Sequence, residues 1–276
     1  MIKKLSAGDQ PTPGGKGAEM SFFDHLDELR KVIFRSLVAI VIIAIMVYLS
    51  SRFIFEEIIF GPLSKDFVTF RLFCEHLGIC FEKTNIAMKT NQLAESFMID
   101  LKVSFYIGII CSFPYIFYQL WGFIKPGLYS AEQKVTRGVV AACSFLFFTG
   151  VSFGYFILAP FAIKFLANYR VAEIVDTEVT LSSYVASMTM FIIPCGIMFQ
   201  LPLVVYFLAK LGIITPDFMR NHRKHAFVAI LVLAAILTPP DIYTQFMIGV
   251  PIYGLYELSI FIAARETKKR EKSLND

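Results

Sequence analysis

The segment Val32–Ser50, VIFRSLVAIVIIAIMVYLS, decides the class of this chain because it is apolar almost throughout. An α-helix rises about 1.5 Å per residue, so about 20 such residues cross the ~30 Å hydrocarbon core of a bilayer. Arg35 lies one turn inside the segment, where its long side chain can reach the interface. The sequence therefore predicts a first transmembrane helix at this position.

The composition of the whole chain agrees with a membrane protein. The 276 residues are 56% hydrophobic and 17% charged, whereas soluble domains carry roughly 25% charged residues. The formal net charge is only +4, and the basic residues lie between the apolar blocks and do not form one stripe. These features predict an integral membrane protein and argue against nucleic acid as a partner.

The apolar blocks predict an all-α protein with six transmembrane helices. The predicted spans are about 32–50, 97–118, 139–160, 183–209, 226–237 and 246–264. The fifth supplies only about a dozen strongly apolar residues, or roughly 18 Å of helix. The last two spans are therefore expected to form a short hairpin in a locally thinned membrane, with a re-entrant hairpin as the alternative.

The distribution of basic residues predicts the orientation. Segments on the side of the two termini contain seventeen Lys and Arg residues, and segments on the opposite side contain seven. The positive-inside rule then places both termini in the cytoplasm. We expect a flexible cytoplasmic tail at 1–20, a membrane domain at 21–264 and a basic cytoplasmic tail at 265–276, with 52–96 forming a long external loop.

The sequence contains no motif that would support catalysis. It has no H-E-x-x-H zinc motif, G-x-S-x-G elbow or P-loop, and its four His residues all lie outside the predicted spans. We therefore expect no enzymatic activity, no catalytic residue, no cofactor and no metal site. Cys74 and Cys80 lie in the first external loop, where a disulfide and two free thiols are both possible states. Metal binding by this pair with His76 would have too few ligands.

Acidic and polar residues provide the candidate functional groups. Glu28 precedes the first span and Glu132 lies between spans two and three. The ordinary interpretation of Glu28 is a helical ion pair with Lys31, three residues later. Polar residues within membrane segments tend to face a bundle interior or cavity, and these are Gln200, Glu257 and, at the hairpin turn, Asp241.

Three separated runs resemble the TatC family, the multi-spanning receptor subunit of the twin-arginine protein translocase. They are HLDELRK at His25–Lys31, FIKPGLY at Phe123–Tyr129 with Glu132 beyond it, and LTPPD at Leu237–Asp241 with Gln245 beyond it. The resemblance extends from about Ser21 to Ala264. It implies six spans, of which the last two are short.

The resemblance also implies a function and its residues. It implies a receptor in the bacterial cytoplasmic (inner) membrane that binds the twin-arginine signal peptide of folded cargo. Single-span TatA/TatB-type subunits and further copies of the chain assemble with it, and the proton-motive force drives export. It assigns signal-peptide binding to Glu28, Glu132, Arg30, Phe123, Leu128 and Tyr129. It assigns contact with the single-span subunits to Thr238 and Gln245. Carboxylates suit this role because they bind guanidinium groups bidentately.

One position departs from the family pattern. Many TatC proteins have a glutamate in span four, where this chain has Gln200 within FQLP. A neutral amide can form hydrogen bonds but cannot carry a proton or attract a cation as a carboxylate does. A small six-span secondary transporter or channel, with Gln200 and Glu257 lining its path, is the alternative function. A purely structural scaffold is a third.

Overall fold

A computed structural model of the chain describes residues 22–64, 67–77, 88–124, 136–168, 179–237 and 242–275. The first helix, α1, is Phe22–Leu49. The helices that follow are α2 (Val68–Leu77), α3 (Glu95–Ile124), α4 (Thr136–Phe153), α5 (Ala159–Asn168), α6 (Leu181–Met198), α7 (Leu201–Lys210), α8 (Pro216–Asn221), α9 (Arg223–Leu237) and α10 (Ile242–Asn275). A single backbone bridge between Lys89 and Thr180 is the only β-type pairing among these residues. The predicted all-α class is confirmed.

Within the described ranges, five helical segments are long and apolar enough to cross a membrane. They are His25–Leu49, Glu95–Ile124, Gly138–Ala167, Leu181–Lys210 and Thr244–Lys269. The predicted fifth span coincides with α9, which has 15 residues and is therefore about 22 Å long. The crossing by α9, which would bring the number of spans to six, remains a prediction. The side of the membrane on which the termini lie and the domain limits also remain predictions.

Several helices extend beyond the limits that the sequence predicted. The second span continues through Pro114 and ends at Ile124. The third continues past Pro160 to Asn168 through a π-helical turn at Gly154–Leu158. Pro160 has no N–H to donate to the carbonyl of Phe156, and the hydroxyl of Thr69 donates to that carbonyl instead. The Phe156 carbonyl thus has a partner, and Pro160, the second residue of α5, lies within a continuing helix.

The segment between the first two spans is more ordered than a polar loop. It contains a π-helical stretch at Ile54–Ile59 and the amphipathic helix α2. The hydroxyl of Tyr155 donates to the carbonyl of Ile58 at 2.8 Å, and that of Tyr184 donates to the carbonyl of Ile59 at 2.6 Å. The sequence prediction of a long loop here is therefore wrong for these residues. Two tyrosines from the spans fix the segment against the membrane domain.

Helices α4 and α6 cross at backbone contact because glycines line the crossing. A Cβ added at Gly150 would lie 2.6 Å from the carbonyl oxygen of Cys195, and one added at Gly154 would lie 2.9 Å from the Cα of Ile192. Small residues four apart allow membrane helices to approach closely. Gly150 and Gly154 form a G-x-x-x-G motif that the sequence analysis missed, although the motif itself was a readable signal.

The last two helices form an antiparallel hairpin with polar contacts near both ends. The side-chain amide of Gln245 donates to the carbonyl of Leu231 at 3.0 Å, and Arg223 donates to Glu257 at 2.7 Å. The paired part of α10, from 245 to 257, is therefore about 18 Å long. Only α9 is shorter than an average hydrocarbon core, which agrees with the expectation of a thinned membrane for the fifth span. Helix α10 contains the 26-residue candidate span Thr244–Lys269, so the sixth span is longer than the sequence predicted.

We predict that this hairpin, with its short first arm α9, crosses the membrane. With the native free thiols removed, the variant Ile242→Cys should react with a membrane-impermeant maleimide added to intact spheroplasts. The variants Asn221→Cys and Lys268→Cys should react only after lysis, because they lie beyond the other end of the hairpin. If position 242 also requires lysis, the hairpin is re-entrant and the six-span topology is wrong.

Candidate functional site

The start of α1 and the end of α3 meet at one corner of the molecule. The rings of His25 and Phe123 stack with their centroids 4.2 Å apart and their planes inclined by 20°. His25 lies in the first turn of α1 and Phe123 in the last turn of α3. His25 is the first residue of the motif His25–Lys31, and the sequence alone assigns it no role. The structure therefore joins two motifs that are nearly 100 residues apart in the chain.

Glu28 lies on α1 one turn after His25. Its carboxylate accepts a hydrogen bond from Lys31 Nζ at 3.2 Å, and the two side chains are 47% and 56% exposed. An exposed ion pair of this kind contributes only about 0–1 kcal/mol. Arg30 is exposed on the same turn. The Glu28 carboxylate is therefore held weakly and is accessible to a cation that binds it better.

Several predicted site residues lie outside the described residues. These are Leu128, Tyr129, Glu132, Thr238, Asp241 and Cys80.

Cys74 is disulfide-bonded, and its partner is not among the described residues. Cys111, Cys143 and Cys195 are free thiols. In the part of the chain that the structure describes, no group of three or more His, Cys, Asp or Glu residues could hold a metal ion.

Gln200 lies at the break between α6 and α7 and bonds across to α4. The thiol of Cys143 donates to its Oε1 at 3.0 Å, and its Nε2 donates to the carbonyls of Cys143 at 3.2 Å and Gly196 at 3.4 Å. An ionised carboxylate could not donate to these two carbonyls. Gln200 therefore acts as a neutral hydrogen-bonding link between helices. This contact joins residues 57 positions apart, and no pattern in the sequence indicates it.

Glu257 has different partners. Its carboxylate accepts hydrogen bonds from Arg223 Nη2 at 2.7 Å and from the Tyr253 hydroxyl at 3.1 Å. The side chains of Arg223 and Glu257 are 47% and 35% exposed. Glu257 therefore lies level with the first residue of α9, at the end of the hairpin. The structure does not bring Gln200 and Glu257 together at a common set of contacts.

Gln245 also bonds within the chain. Its Nε2 donates to the carbonyl of Leu231 in α9, and the side chain is partly buried. Thr244, the residue before it, is buried in the hairpin. The amide nitrogen of Gln245 thus helps to hold the two arms together, which is an intramolecular role that the sequence did not predict.

Comparison with known proteins identifies the group to which this architecture belongs. Residues 24–251 match the family model described as "TatC: Sec-independent protein translocase protein (TatC)". A Blattabacterium protein named Sec-independent protein translocase protein TatC is 38% identical over 260 residues, which cover 91% of this chain and 98% of that protein. The Bacillus subtilis protein TatCy is 33% identical over 92% of this chain and 93% of its own length.

Solved structures agree with these relatives. A crystal structure described as the twin arginine translocase receptor TatC in DDM matches with a TM-score of 0.70 and 31% sequence identity. The match covers 87% of this chain and 99% of that one. Together with the five candidate spans, these matches confirm the predicted family and its place in protein transport. The chain therefore belongs to the TatC family of Sec-independent protein translocases, whose members are multi-pass inner-membrane transport subunits and not enzymes.

Proposed function

We propose that this chain is the receptor and core subunit of a twin-arginine translocase. In this function it binds the twin-arginine signal peptide of folded cargo on its cytoplasmic face. It assembles with single-span TatA/TatB-type subunits, and with further copies of itself, for export driven by the proton-motive force. The name of the matched crystal structure describes that protein as a receptor, and this supports the same role here.

The stacking of His25 on Phe123 is the observation that carries the proposal. It brings the helix turn that carries Glu28 and Arg30 next to the residue that opens the second motif. Phe123 is more than 90 residues from Glu28 and Arg30 in the sequence, so a shared corner is expected if the three residues recognise one ligand. Glu132, Leu128 and Tyr129 complete the proposed site.

The chemistry of the described residues suits a pair of arginines. A guanidinium group donates two parallel hydrogen bonds to a carboxylate, which a lysine ammonium group cannot match. Arginine in a signal peptide can therefore displace Lys31 from Glu28, because the Lys31 pair is exposed and weak. Arg30 then serves to hold the acidic groups in position.

Photo-crosslinking tests this function. A photoreactive residue at Asp27 or Gln133, beside the two proposed carboxylates, should crosslink to a signal peptide with Arg-Arg and much less to the same peptide with Lys-Lys. A photoreactive residue at Glu56, in the first external segment, is the control and should crosslink to neither. Equal crosslinking of the two peptides would reject recognition of the arginine pair.

The contact between His25 and Phe123 makes a separate prediction. His25→Ala should weaken signal-peptide binding by several-fold, because the stack positions α1 against α3; an aromatic pair contributes about 0.5–1.5 kcal/mol. His25→Phe, which keeps a ring, should retain most of the affinity. Binding titrations with a fluorescent signal peptide measure both. Equal loss of affinity in the two variants would show that stacking is not the cause.

We further propose that Thr238 and Gln245 contact the single-span subunits. Hydrogen bonds between membrane helices contribute about 0.6 kcal/mol each on average. Thr238→Val combined with Gln245→Leu should therefore weaken association roughly sevenfold. Quantitative co-purification of the small subunits measures this, with the melting temperature as a check on the bond from Gln245 to Leu231. Undiminished co-purification would remove these residues from the contact.

The transporter alternative is not favoured. It requires Gln200 and Glu257 to line one substrate path, but the structure gives these side chains separate partners, Cys143 for one and Arg223 for the other. The family match also points to a translocase. Uptake of a small solute by the purified chain alone would be the result that restores this alternative.

A further inference from the structure

The last helix carries a basic cluster beyond the predicted membrane span. The sequence predicted the span to end near 264 and a tail to follow, but α10 continues as one helix to Asn275. Arg265, Lys268 and Lys269 lie on this extension, and Arg270 and Lys272 follow in the sequence. Because the helix is continuous, the first basic residues have fixed positions relative to the membrane domain.

An apolar groove lies beside the start of this extension, between α4, α7 and α10. Its volume is about 320 Å³. Gly138, Ala142 and Leu146 from α4 form one wall, Leu203 and Tyr206 from α7 lie at its base, and Ile262 from α10 forms the other wall. A Cβ added at Gly138 would meet no atom within 4 Å, so the groove is open at that point.

Charged side chains follow directly on the same face of α10. Arg265 lies one turn beyond Ile262, with its guanidinium 4.3 Å from the centre of the Phe261 ring. Lys269, one further turn along, donates to Glu266 at 2.8 Å. Glu266 offsets one of the three positive charges of Arg265, Lys268 and Lys269, so this part of α10 keeps a net positive charge at the end of the groove. An apolar channel that ends at a positive rim fits a molecule with an apolar chain and an anionic head.

We propose that this groove binds an anionic phospholipid from the leaflet next to the C-terminal end of the chain. One acyl chain lies along Gly138, Ala142 and Ile262, and the phosphate accepts hydrogen bonds from Arg265 and Lys269. Basic pockets between membrane helices commonly hold anionic head groups in this way. A transmembrane helix of a partner protein would fill the apolar groove but would have no use for the positive rim.

The proposal is tested with the purified full-length chain, by native mass spectrometry after exchange into mixtures of phosphatidylglycerol, phosphatidylcholine and phosphatidylethanolamine with identical acyl chains. The wild-type chain should retain phosphatidylglycerol preferentially. Each basic residue near an anionic lipid contributes roughly fivefold in affinity, so Arg265→Gln with Lys269→Gln should reduce the preference by about 25-fold. The control is Arg52→Gln with Arg71→Gln, which removes the same charge from exposed ion pairs in the first external segment.

A second variant tests the groove itself. Gly138→Leu places a side chain in the open part of the groove and should abolish lipid retention, whereas Gly254→Leu, at another open position, should not. The melting temperature shows whether each variant folds. If Gly138→Leu does not fold, the variant Arg265→Gln with Lys269→Gln decides whether the groove binds an anionic lipid. Equal retention of the three lipids, preference for phosphatidylethanolamine, or unchanged retention in Gly138→Leu would each overturn the proposal.

Discussion

Replacing Glu28 and Glu132 together by alanine should nearly abolish binding of a twin-arginine signal peptide while leaving the fold intact. A hydrogen bond to a charged group contributes about 1.5–3 kcal/mol, so each single change should cost about 10- to 150-fold in affinity. If both carboxylates hold one arginine pair, the double change should cost less than the sum of the two. Glu28 is half exposed on α1, so its loss should not disturb packing.

Binding titrations with Arg-Arg and Lys-Lys peptides measure this effect. Glu28→Gln keeps the size of the side chain and removes its charge, so it should resemble Glu28→Ala in affinity if charge is the cause. Glu56→Ala is the matched control, because Glu56 is also an exposed helical acid, paired with Arg52 at 3.1 Å. Unchanged peptide affinity in the double variant, with a normal melting temperature, would remove both carboxylates from the site.

The second large effect is expected from Gly150→Val, which should destabilise the membrane domain by about 3 kcal/mol through overpacking. An added Cβ would already lie 2.6 Å from the Cys195 carbonyl oxygen and 2.8 Å from the Phe199 side chain. The carbonyl oxygen is part of the helix backbone, so the clash can be relieved only if α4 and α6 separate. Separation would also strain the hydrogen bonds between Cys143 and Gln200 at the same pair of helices.

Gly254→Val is the matched control, because an added Cβ there meets nothing within 4 Å. Both positions are glycines within apolar helices, so the change in helix propensity from Gly to Val is the same at both. Thermal unfolding in detergent should show a much lower melting temperature for Gly150→Val than for Gly254→Val. Similar melting temperatures for the two variants would mean that the close crossing does not limit stability.

The class of the protein and its family were readable from the sequence. Apolar runs such as Val32–Ser50 are local and long, and burial in lipid requires no knowledge of the neighbouring helices. The motifs at His25–Lys31, Phe123–Tyr129 and Leu237–Asp241 were also contiguous. The short fifth span followed from counting residues, and α9 has 15 of them.

The partners of the polar side chains were decided by the tertiary structure alone. Gln200 and Cys143 are 57 residues apart, Arg223 and Glu257 are 34 apart, and Tyr184 bonds to a carbonyl 125 residues away. No periodicity links such positions, because each bond depends on which helix faces lie together. A tertiary contact also satisfies the backbone at Pro160: the proline has no N–H, and the hydroxyl of Thr69, 87 residues away from Phe156, donates to the Phe156 carbonyl.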